Sequence, residues 1–384
     1  MTVAVAAPAP RGSKEFFRGT HRACPPEQTW ERIRPLLAIA GITRVGELTR
    51  LDGVGIPVAQ AVRPASRTAA VTLGAGLTAV HARVSAAMAS LERRHAERVE
   101  APSSWSAVAA VRANLGYNPY TLPLHTPHLL NDGMVLDWVP ATILRSGRPT
   151  LVPRACAEHD LTVRDEWSPP VFLSSADGLA AGNTHAEAVL HALYEVLARE
   201  AAARVRALPR EQRVAVEVAS VDSDDARRLL DRLAAAGLRV SVTDITGPGG
   251  VPGFEVVAAS EQPRIVARGA ACHLDPAVAL CRALAAAARE RMAAVTGARD
   301  DIPVAPGLPD GHGAGGAGDS PQRRDWASFR SLSTSSFAGD VAELSDRIHA
   351  SGAGPVLVVD LSRESVGLPV VRVIVAGMRQ TGVG

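Results

Sequence analysis

Three long helical stretches, two of them entered directly from strand-like runs, set the tightest limit on what this chain folds into. The clearest is HAEAVLHALYEVLAREAAARV at 185–205, where apolar residues recur at the three- and four-residue spacing of one helix face. Thr184 stands at its N-cap position and Glu187 follows three residues later, the pattern of a capping box. A second long helix is predicted over Ala79–Val99, behind the β-branched run AAVTL at 69–73, with Gly74, Gly76 and Thr78 between them. A third is predicted over Pro276–Val295, and shorter helices at 29–40, 223–236 and 340–350. RVAVEVAS, LRVSVTDIT, FEVVAAS, PRIVARG, PVLVVDL and VGLPVVRVIVAG read as strands, as do the two arms of 138–153 around SGRP, whereas Phe172–Gly182 reads as a loop. This alternation predicts an α+β, mixed α/β fold in which mixed sheets are packed by long helices. Residues 1–13, rich in Ala and Pro, read as a disordered leader, and 14–384 as one domain interrupted by a mobile Gly/Pro-rich loop at about 303–324.

Composition narrows the function classes. With 47% hydrophobic residues the chain has material for a substantial core. Its 41 Lys and Arg against 39 acidic residues leave a net charge of +2, which offers no general attraction to nucleic acid or anionic membrane. Aromatics are 4%, too sparse for base-stacking platforms. No apolar run is long enough to span a bilayer, and the opening MTVAVAAPAPRGSK places charge after its apolar residues, the reverse of a secretion signal. The four cysteines, Cys24, Cys156, Cys272 and Cys281, lack zinc-ligand spacing and read as buried free thiols. A cytoplasmic protein without nucleic-acid or membrane partners is the expectation. GPGGVPG at 247–253 lacks the GK[ST] of a phosphate-binding loop and reads as a turn.

Three blocks together carry a family resemblance. They are GTHRACPPEQTWERIRPLLAIAGITRVGELTRLDGVGIPVAQAVRP at 19–64, DGLAAGNTHAEAVLHALYEVLARE at 177–200, and ACHLDPAVALCRAL at 271–284 running through TGARDD to VVDLSRESVGLPVVRVIVAGM at 358–378. In this order they resemble YcaO-domain proteins, in particular the TfuA-associated branch. The resemblance implies a fold in which glutamates from several helices hold Mg2+ against the phosphates of ATP. It also implies an activity: O-phosphorylation of a peptide backbone amide after attack by a nucleophile, which gives azolines, thioamides or amidines during maturation of a ribosomal natural product. The chemistry is reasonable, because an amide oxygen leaves poorly until it carries a phosphoryl group.

Carried over position by position, the family pattern SxxxExxER finds Ser85, Glu92 and Arg93 in place, with Ala89 where its first glutamate stands. In the second motif Asn183, Glu187, Glu195 and Arg199 match, and Ala198 replaces a glutamate. The third helix, RALAAAARER at 282–291, has Ala286 for a glutamate and Arg289 for a glutamine. At about 100° per residue Ala89 falls within roughly 60° of Glu92, so both belong to one helix face. Arg299 and Lys14 match positions expected to meet phosphates. The resemblance thus implies ATP binding through Lys14, Ser85, Glu92, Arg93, Asn183, Glu187, Glu195, Arg199 and Arg299. Glu92, Glu187 and Glu195 remain to hold metal, fewer ions or more weakly than a full set would.

Two functions follow as expectations. One is ATP-dependent backbone modification, thioamide or azoline formation, on a precursor peptide with a TfuA-like or peptide-recognition partner. The other is a catalytically inactive homologue serving as scaffold for an active enzyme; a homodimer is compatible with both. Outside the resemblance, the same glutamates read as solvated helix charges, His125 and His128 as loop histidines, His191 as a packed histidine, and Asp360 as the cap of a turn.

Overall fold

The computed structural model describes residues 13–163, 170–298 and 322–378. Sequence periodicity is realised closely in the helices: Pro26–Ile39, Ala79–Ala96, His185–Arg206, Asp224–Ala235, Pro276–Thr296 and Phe337–Ala350, with short additional helices at Val108–Leu115 and Arg154–Ala157. Among the described residues none is long and apolar enough to cross a membrane.

The strands form three main sheets and a small hairpin, Glu15–Phe16 with His21–Arg22. A three-stranded antiparallel sheet joins Arg44–Glu47, Val58–Val62 and Val71–Ala75. A six-stranded sheet is centred on Val356–Asp360, flanked by Val135–Ile143 and Val370–Val375. A five-stranded sheet runs Arg264–Cys272, Gly253–Glu261, Arg239–Asp244, Val214–Val216, Arg323–Arg324. Gly253–Glu261 is buried at eight of nine positions because helices and neighbouring loops cover both its faces, which explains its nearly unbroken apolar run.

Each long helix covers one sheet and touches the next. Ala79–Ala96 lies on the three-stranded sheet and reaches the edge strand Leu179–Ala181 of the six-stranded one. His185–Arg206 lies on that sheet and reaches Arg264–Cys272. Pro276–Thr296 lies on the five-stranded sheet and reaches back to Val71–Ala75, closing a ring. A glycine seats each of these three helices. A Cβ on Gly74 would lie 2.6 Å from the Ala82 carbonyl oxygen, and one on Gly182 would lie 2.5 Å from the Ala188 nitrogen. One on Gly269 would press on the backbone of Ala283 and Ala287. Only glycine lets the backbones approach this closely.

Several expectations change. The stretch read as a loop at 172–182 contains the strand Leu179–Ala181, too short to show a period, which pairs with Val370–Arg372. RVAVEVAS yields only a three-residue strand before the chain turns at Val218–Ser220. The end of the glycine-rich segment is not loop: Arg323–Arg324 adds a parallel edge strand beside Ala215–Val216. The rest of that segment to residue 321 lies outside the described residues, as do residues 1–12 of the leader, while Ser13 bridges to Ser336.

Candidate functional site

The ring of helices encloses an open cleft of about 1340 Å³ including its mouth. Each helix contributes a stripe at three- and four-residue spacing: His81, Ser85, Ala89 and Glu92; Glu187, His191, Glu195 and Ala198; Arg282, Ala286 and Arg289. Their N-caps fix where the stripes begin. Thr78 accepts from the His81 N–H at 3.2 Å, Thr184 from Glu187 at 3.1 Å, and Asp275 from Ala277 at 2.9 Å. The Glu15–Arg22 hairpin supplies a fourth wall through Gly19, Thr20 and Arg22.

Glu187 does not complete the capping box. Its carboxylate turns inward, accepting from the Ala23 N–H at 3.0 Å and from Asn183 Nδ2 at 3.3 Å, with Arg22 at 3.8 Å. Asn183 in turn accepts from the Thr29 hydroxyl at 3.1 Å, so the amide orientation is fixed from both ends. Glu92 accepts from the Ala181 N–H at 2.8 Å. Burial first, and the neighbouring Glu195 second, push the Glu92 carboxyl up to about 8. Burial also raises Glu195, against the pull of Arg282, Arg289 and Arg199. His191 lies 3.5 Å from Glu195, but burial and Arg282 hold it well below the usual histidine range, so this contact is between a neutral ring and a carboxyl group. Burial holds His81 down at about 4. Burial and Arg22 lower Arg282 to about 10, which leaves it charged at neutral pH.

Of the residues singled out from sequence, Ser85, Glu92, Asn183, Glu187 and Glu195 line the cleft, together with Ala89, Ala198 and Ala286. Arg93, Arg199 and Lys14 are not part of that lining. Arg199 pairs with Asp177 at 2.7 Å, and Lys14 is held by the buried Asp340, Ser333 and the Thr334 carbonyl. Arg299 lies outside the described residues. Sequence reasoning gave no role to Arg22, Arg282 or Arg289. The signal was present: Arg282 and Arg289 sit seven residues apart, on the same helix face as Ala286. Asp360 accepts from the Ser362 N–H at 2.9 Å, capping a turn, and all four cysteines are buried and free.

The arginines and polar groups fit a phosphate-bearing ligand. A multi-carboxylate metal centre fits less well, since among the described residues no three His, Cys, Asp or Glu side chains converge to hold an ion.

Comparison with known proteins identifies the family. An uncharacterized protein of Mycobacterium tuberculosis is 42% identical over 288 residues, 75% of this chain and 65% of that relative, so the match leaves about a third of the relative's length uncovered. A Rhizobium leguminosarum bv. trifolii protein known only as lying in the tfuA 3' region is 33% identical, covering 93% of this chain and 88% of its own. The structure of YcaO from Methanopyrus kandleri bound with AMPPCP and Mg2+ superposes with a TM-score of 0.75 at 24% identity, over 95% of this chain and 94% of that one, which establishes the shared fold. Residues 73–379 match the family described as YcaO cyclodehydratase, binding ATP and Mg2+. With the match spanning all three helices that frame the cleft, the chain belongs to the YcaO family.

Proposed function

We propose that the cleft binds ATP and that the chain activates backbone amides of a ribosomally made precursor peptide. The observation that carries this reading is the convergence of Ser85, Glu92, Asn183, Glu187 and Glu195, from two helices and the turn before one of them, on a cleft whose other walls bring Arg22, Arg282 and Arg289. When bound, ATP supplies the phosphoryl group that makes an amide oxygen a competent leaving group. The chain's own residues bind and orient: Arg282 and Arg289 face the phosphates, and Asn183 and Ser85 offer hydrogen bonds. Lys14, Arg93 and Arg199 act in this reading from outside the cleft lining, and Arg299 keeps the phosphate-meeting role that the resemblance implies. The relative beside tfuA supports a TfuA-like partner, and with it thioamide over azoline formation. A peptide-recognition partner or a homodimer is compatible with the same site.

Incubation of the full chain with ATP, sulfide, a neighbouring precursor peptide and its partner tests this by mass spectrometry. Oxygen-to-sulfur exchange on the peptide supports thioamidation and loss of water supports cyclodehydration. An unmodified peptide alongside intact nucleotide binding favours the second reading, a scaffold that presents peptide to an active enzyme. That reading is favoured by Ala89, Ala198 and Ala286, which place methyl groups on the cleft wall.

A further inference from the structure

We infer that the cleft balances the charge of its polyphosphate ligand with Arg22, Arg282 and Arg289 rather than with divalent cations, so that nucleotide binding does not depend on Mg2+. This rests on the nucleotide reading above and adds how that site is neutralised.

Three observations converge on it. On the Pro276–Thr296 helix, residues 282 and 289 point within about 20° of each other and lie roughly 10 Å apart along the axis. They form a straight cationic row, with only the methyl groups of Ala285 and Ala286 between them on the cleft wall. Arg22, from the hairpin wall, lies close enough to Arg282 to disfavour its charge, a repulsion that an anion seated between them relieves. Guanidinium forks match phosphate oxygens two at a time, which gives such a row geometric as well as electrostatic selectivity.

Two of the three acidic side chains of the lining are already tied down, and the third, Glu195, stands under the pull of Arg282, Arg289 and Arg199. Glu187 is tied to the Ala23 N–H, Asn183 and Arg22, and Glu92 to the Ala181 N–H. Ala89, Ala198 and Ala286 contribute no donor atom, and among the described residues no metal-holding group of three exists. A divalent cation entering this lining meets the guanidinium charges of Arg22, Arg282 and Arg289 beside carboxyl groups that already have partners, whereas an anion meets complementary charge on those arginines.

The test is calorimetric titration of the full chain with ATP, ADP and pyrophosphate, in excess EDTA and in excess Mg2+. The expected dissociation constants in the two buffers agree within about fivefold. In EDTA, Arg289→Gln, at an exposed position, and Arg282→Ala each weaken binding by about tenfold or more. Ala198→Glu returns a carboxylate to the wall and makes binding tighter in Mg2+ than in EDTA. Thermal unfolding of each ligand-free variant checks that it is folded, and Arg289→Gln keeps the test decisive if Arg282→Ala is not. A loss of more than about fivefold on chelation overturns the inference and leaves the nucleotide reading standing. No binding in either buffer overturns both.

Discussion

The close seating of the Ala79–Ala96 helix on its strand makes Gly74→Ala a demanding test of the architecture. A Cβ at position 74 would press hardest on the Ala86 nitrogen and would lie 2.6 Å from the Ala82 carbonyl oxygen and from the Ser85 carbonyl carbon, where ordinary contact begins at 3.4 Å, so the helix must retreat by more than 0.8 Å. Nothing soft absorbs that movement, because the opposing atoms are backbone and the neighbouring side chains Ala82, Ala86 and Ala87 are fully buried. A gap of 0.5–1 Å forfeits about a quarter to a half of each dispersion contact it opens. Overpacking of this kind usually costs about 1–3 kcal/mol, and a clash with helix backbone belongs at the upper end. The Thr72 hydroxyl, which donates to the Ala86 carbonyl at 2.8 Å, loses its bond as well, adding roughly 1 kcal/mol. The expected loss is therefore about 4 kcal/mol, read as a shift in the urea unfolding midpoint. Gly53→Ala is the control: its Cβ would meet nothing within 4 Å. Equal stability of the two variants, within about 0.5 kcal/mol, would refute the seating argument.

Three further outcomes are expected. Glu97→Gln breaks a pair with Arg63 in which both side chains are nearly inaccessible, at 7% and 3% exposure, and should destabilise by roughly 3 kcal/mol at neutral pH. Burial pushes the Glu97 carboxyl up, but Arg63, Ser66 and the Arg67 N–H outweigh it and hold it below 4.5. The difference from wild type is thus complete above pH 4.5, the unfolded-chain value, and closes as the pH falls through the depressed folded value; a gap unchanged at low pH would contradict the assignment. Thr184→Ala removes the cap that accepts from Glu187 N–H and should cost about 1 kcal/mol in denaturant titration, with Thr184→Ser restoring most of it. The four thiols, all buried and all raised by burial, should react with a colorimetric disulfide reagent only on unfolding; rapid labelling of any one in the native chain would count against that burial.

Much of the frame was legible in the sequence because helices write their period over many residues. Thr184 and the spacing that follows it locate the His185–Arg206 helix within a residue. The strand at Leu179–Ala181 was not legible, since three residues carry no alternation and its pairing with Val370–Arg372 is a long-range fact. The direction of Glu187 was invisible for a related reason. A capping box is a local pattern, whereas the Ala23 N–H that claims the carboxylate arrives from a hairpin more than a hundred residues earlier. Arg199 shows the opposite case: its place on the helix was readable, but its guanidinium follows Asp177, a partner fixed by the loop before the helix. Helix-face arithmetic was sufficient to put Ala89 on the same face as Glu92, which lines the cleft, and would have put Arg282 and Arg289 on one face too.

The glycine seats separate what holds the molecule together from what it does. At Gly74, Gly182 and Gly269 main chain rests on main chain, so the width of the central space is set without reference to any side chain that faces into it. An acid on that wall can become a methyl group, or return, while the scaffold registers no change. Architecture and chemistry are in this sense separable: what fixes the spacing of the helices is main chain, and what faces the ligand is side chain.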